Sequence, residues 1–309
     1  MIKTYKYLQD NISIGVNNEF NIHELNNIIK SFDSFFSEKQ ESNELKDFFY
    51  SEYKTYKLTI DCLILWNICA TQIMLANSPE LKIEESELTN KGYFSQLLIH
   101  LTNNLIGVKF LFENGLAAQA KFVYRNSIEL SDLAMSILYD TDFFENHKKP
   151  NLKKSGNPFI SPKNSTISKF AENVIEKVNE KLGDNVDSSK IISVFWKRLR
   201  SEQYEILSES AHGNYLHNIL NAYGKNNNEK YSPSLGRNKW KELERPLSDI
   251  CLHQITIKRY FTWILKLKHN IDLFDNQNEL HRFIYFLDIV IGRNFLKEII
   301  IPQTDNNED

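Results

Sequence analysis

The residues best suited to chemistry fall on two stretches, "AKFVYRNSIELSDLAM" and "YEILSESAHGNYLHN". In the first, Arg125 and Glu129 are four apart, so on a helix they share a face and can pair. In the second, at 100° per residue, Ser208, His212 and Tyr215 share a face. A site built from both could hold a phosphate and move a proton. His212 would be the general acid or base, since its unperturbed pKa suits proton transfer near neutral pH. Arg125 would stabilise charge on the phosphate, Glu129 would orient either group, and Ser208 and Tyr215 would supply hydrogen bonds. The same side chains, without a reaction, make a satisfied polar network that fixes the register of two helices.

His217 lies about 140° from His212 on a continuous helix, so the two cannot bind one ion. Glu209 and His212 form an E-x-x-H pair of the type used in di-iron bundles, but a site of that kind needs the motif twice and the chain has it once. No metal is expected. Gly-rich phosphate loops, nucleophile elbows and zinc spacings are also missing from the sequence, so no cofactor is expected. Gly213 costs about 1 kcal/mol relative to Ala inside a helix. Either it admits a neighbouring helix beside His212, or it ends one helix and Asn214 caps the next. The lysines Lys148, Lys149, Lys153 and Lys154 crowd a polar connection that could touch a nucleic-acid backbone, although such runs are more often simply solvated.

Arg125 and Glu129 read as an R-x-x-x-E motif, and Tyr204, Leu207, Ser208, His212 and Gly213 as Y-x-x-L-S-x-x-x-H-G. Over roughly residues 92–222 these resemble an uncharacterised bacterial all-helical family. The architecture is also similar to the HEPN group of helical bundles, many of which are ribonucleases in toxin–antitoxin, abortive-infection and other antiviral systems. That resemblance implies a HEPN-like core and, for an enzyme, phosphodiester-directed chemistry on RNA. The group's catalytic signature places a histidine four to six residues after an arginine on one helix. "RNSIEL" supplies Arg125 and a following polar residue, but then Glu129 and no histidine.

The elements that must position these residues are helices. The chain has only 10 Gly and 7 Pro among its 309 residues, and its apolar residues recur at three and four. Helices are expected at about 21–37, 43–77, 92–113, 116–145, 165–182, 188–222, 240–274 and 278–299, with no significant sheet. The short "ENG" at 113–115 makes an antiparallel hairpin of the two helices beside it. Polar connections run from His147 to Thr166, closed by Asn164 or Ser165 as an N-cap, and from Gly224 to Trp240. The expected fold is all-α, a multi-helix bundle of long antiparallel helices. It forms one domain over 1–300, with a core at about 92–222, flanking helices at 21–77 and 240–299, and a frayed acidic tail at 301–309.

A net charge of -3 gives no global field for nucleic acid or anionic membrane, so an RNA partner would need a local basic patch. The N-terminus lacks an apolar leader, which points to the cytoplasm. Cys62, Cys69 and Cys251 have no redox or metal spacing and read as buried thiols. Residues 58–77 are apolar enough to suggest a membrane span, but Asp61, Asn67, Gln72 and Asn77 interrupt them, which favours a buried core helix. His253 is expected at the core edge, and His269 near a helix C-terminus where positive charge is favourable. The four tryptophans read as core packing. Two functions fit: an interaction, sensor or scaffold module with an internal polar network, or a ribonuclease-like effector. The partner is a protein or RNA, and homo-oligomers are compatible with either.

Overall fold

A computed structural model describes residues 53–76, 89–114, 116–148, 164–182, 223–225, 231–233, 244–275 and 278–299. They form an all-α bundle. Helix α1 spans Lys54–Ala76, α2 Asn90–Glu113, α3 Ala117–Tyr139, α4 Thr141–Lys148, α5 Asn164–Leu182, α6 Glu244–His269 and α7 Glu279–Ile299. Strands β1 (Tyr223–Lys225) and β2 (Tyr231–Pro233) form a small antiparallel ribbon with Tyr223 opposite Pro233. That ribbon sits at the start of what the sequence suggests is an irregular connection. The expected helices at 21–37 and 188–222 lie outside the described residues.

Helix α1 lies inside the bundle. It touches α2, α6 and α7, and every residue from Tyr56 to Asn67 is buried. A helix buried over so long a stretch, apolar but for a few polar residues such as Lys57 and Asp61, belongs inside a bundle. Among the described residues it is the one helix long and apolar enough to cross a membrane, and most of it is covered by the protein itself. Around it the core is aromatic: Trp66, Phe94, Tyr260, Phe261, Phe283 and Phe286 are fully buried, and Phe94 meets Phe261 edge to face at 4.9 Å. All three cysteines are free and buried, as expected, and burial pushes the Cys69 thiol up to about 12.

The α2–α3 hairpin forms around the expected short turn. Thr89 caps α2 by accepting the Gly92 amide at 3.1 Å, and Leu116 N–H reaches back to the Leu111 carbonyl at 2.8 Å. The single helix expected over 116–145 is two. The backbone is extended at Asp140, whose side chain accepts the Phe143 amide at 2.9 Å and so starts α4 as an N-cap. The helix expected to reach residue 274 stops at His269. Asn270 takes a left-handed conformation (φ 54°), and the Ile271 amide returns to the Leu265 carbonyl at 3.1 Å. Asn is the non-glycine residue best suited to that position.

Candidate functional site

The pair legible in the sequence is present on α3. Arg125 Nη2 lies 3.7 Å from Glu129 Oε1, with the two side chains 21% and 27% exposed. The polar stripe they belong to then descends into the bundle. Asp132 and Ser136 are buried, and Ser136 donates to the Asp132 carbonyl at 2.8 Å. The intended partners Ser208, His212 and Tyr215, with Tyr204, Leu207 and Gly213 of the same motif, lie outside the described residues. So do Lys149, Lys153 and Lys154, while Lys148 closes α4.

A second polar cluster, not singled out in the sequence, sits between α1 and α2. Lys57 pairs with Glu113, and Lys109 Nζ lies 3.0 Å from Asp61 Oδ1. The Lys57 and Glu113 side chains are 1% and 0% exposed. Each helix carries a cation and an anion four residues apart. Because α1 and α2 run antiparallel, each step of four forward on α1 meets four back on α2, and both pairs close. A third pair follows on the far side of α1: Lys258 of α6 bonds Asp288 of α7, and its ammonium sits 5.7 Å from the centre of the Trp66 ring.

Burial holds the Lys57 ammonium below its usual pKa, and the Glu113 carboxylate beside it opposes that shift. Lys258 is held down in the same way, with Asp288 opposing. These charges survive burial only because each has a partner. The signal for them was visible as Lys57/Asp61 and Lys109/Glu113, opposite charges four apart. In sequence that spacing reads as a pair along one solvent-facing helix. Here the bonds run between helices.

A buried tyrosine and histidine join α3 to α6. The Tyr124 hydroxyl bonds His253 Nδ1 and lies 3.4 Å from the Ile250 carbonyl, with the two rings edge to face at 5.5 Å. His253 is therefore in the core itself, not at its edge. His269 does lie at the end of α6, but desolvation lowers its pKa although its Nε2 meets the Leu138 carbonyl at 2.6 Å. Burial outweighs the favourable helix end expected from sequence. Trp66 is core as expected, and Trp263 packs partly buried against it.

Open space occurs at the α3–α4 corner. A cleft of about 270 Å³ is lined by Asp140, Asp142, Phe143, Asn146, His147 and Phe170. His147 stacks nearly parallel on Phe143, and desolvation lowers its pKa. Arg125 and Glu129 do not line this cleft. Among the described residues no cluster of three or more His, Cys, Asp or Glu could hold a metal ion. Together the fold and site define an all-α bundle whose interior charges are tied across helix interfaces. No protein-family model, curated protein or solved structure matches the chain.

Proposed function

We propose that this chain is a helical interaction, sensor or scaffold module whose internal polar groups set the register of its helices. Arg125 and Glu129, partly exposed on α3 and with His212 as their proposed partner, are read as a structural pair and not as a catalytic centre. The observation that carries this reading is the cross-linked pairing of Lys57 with Glu113 and Asp61 with Lys109, deep between α1 and α2. A hydrolytic centre needs an acid or base beside space for its substrate. These side chains instead face one another, and their chemistry is spent on packing. Fixed register is what a module needs to present a constant outer surface, and buried ionic groups are suited to fixing it.

The test is to incubate the purified full chain with total cellular RNA and to compare it with His212→Ala and Arg125→Ala. Intact RNA throughout, with lower melting temperatures for both variants, is the expected result. RNA cleavage that disappears in His212→Ala while the melting temperature is unchanged overturns the module reading and favours a ribonuclease.

A further inference from the structure

Four of the seven large apolar side chains exposed among the described residues lie on the α2–α3 hairpin: Ile99, Ile106, Phe110 and Phe122. Phe110 and Phe122 are more than half exposed, at 55% and 60%. Ile99, Ile106 and Phe110 follow one another at seven and four residues, so they form a stripe along α2 only about 40° wide. The stripe faces away from the interior, because Leu98, Leu101, Leu105 and Val108, on the opposite side of the same helix, are buried. The remaining exposed positions of α2 and α3 are His100, Asn103, Gln119 and Asn126. None is a Lys, Arg, Asp or Glu, in a chain where a quarter of all residues are. Depletion of charge around exposed aromatic groups is the compositional mark of an interface centre.

We infer that this face is where a second copy of the chain docks, hairpin against hairpin, to make a four-helix contact across a twofold axis. Two observations favour a second copy as the occupant. The first is charge. The most exposed positions of the face carry no charge that would repel a copy, and beside Phe122 on α3 lie the partly exposed Arg125 followed by Glu129. A twofold axis reverses that order, so the cation of one copy approaches the anion of the other at the rim. The second is size. The 24 residues of α2 extend about 36 Å, and two helices abreast are about 20 Å wide. The resulting outer face of roughly 700 Å² approaches the ~800 Å² per partner of a standard interface. This inference rests on the reading of the chain as an interaction module and names its partner.

The experiment is sedimentation of the full chain from about 1 to 100 µM, alongside Phe110→Glu and Phe122→Glu, with melting temperatures for all three. The expected result is a dimer that becomes at least tenfold weaker in each variant while the melting temperature stays within about 2 °C. Asn103→Cys should also cross-link two copies, since the native thiols are buried. A monomer at every concentration overturns the inference. So does a dimer indifferent to both substitutions, or a monomer whose melting temperature falls in Phe110→Glu because the chain's own residues cover the face. None of these outcomes generates RNA cleavage, so they leave the module reading to its own test.

Discussion

Lys57 and Glu113 illustrate how a residue can be costly and still indispensable. Neither side chain reaches water, so removing one strands the other as an uncompensated buried charge. Lys57→Met is therefore expected to lower unfolding free energy by about 3–5 kcal/mol, whereas Lys57→Met with Glu113→Leu should recover most of that loss. Urea unfolding of the single and double variants measures the difference; equal losses would mean the two charges do not depend on one another. Tyr124→Phe removes the hydroxyl that bonds His253 in the core, which should cost about 1–3 kcal/mol. Of these residues the sequence displayed only the types and spacings. Arg125 with Glu129 was legible because its pairing is local. Lys57 with Glu113 was not, because the partner is set by how two helices align, and a charge in a helical window ordinarily marks the solvent side.

At the scale of elements, the apolar recurrence at three and four located the described helices well, since that spacing is imposed by the same burial that the fold achieves. It was blind where a single side chain overrules the pattern. Asp140 divides an otherwise helical stretch because its carboxylate satisfies an amide at the start of α4. Asn270 ends α6 by tolerating a positive φ. Asp140→Ala should cost about 1 kcal/mol through the lost cap. Asn270→Ala should cost a similar ~1 kcal/mol, because a side chain with Cβ and no local hydrogen bond disfavours the left-handed region, and Asn270→Gly should cost nothing. Thermal unfolding of the three variants checks both ends. If Asn270→Gly is the most damaging, the side chain and not the backbone conformation holds that helix end.

For the whole molecule, the clearest solution property is its response to acid. Burial keeps His147 and His269 below the ordinary histidine value of 6.5. As pH falls through that value the unfolded chain takes up protons before the folded one does, so stability present above pH 6.5 is lost progressively below it. Urea midpoints between pH 7.5 and 5 should decline, and His269→Gln should flatten the decline; a midpoint that rises in acid contradicts the assignment. The position of α1 matters in another way, during synthesis. Its long, almost uncharged surface is covered in part by α7, which begins about two hundred residues later in the chain. At roughly 5–20 residues per second, α1 waits on the order of ten to forty seconds after translation before that cover exists. The nascent chain must therefore carry this membrane-like helix through the ribosome's surroundings unsheltered by α7 for that interval, and the folded yield is expected to depend on how soon α7 follows.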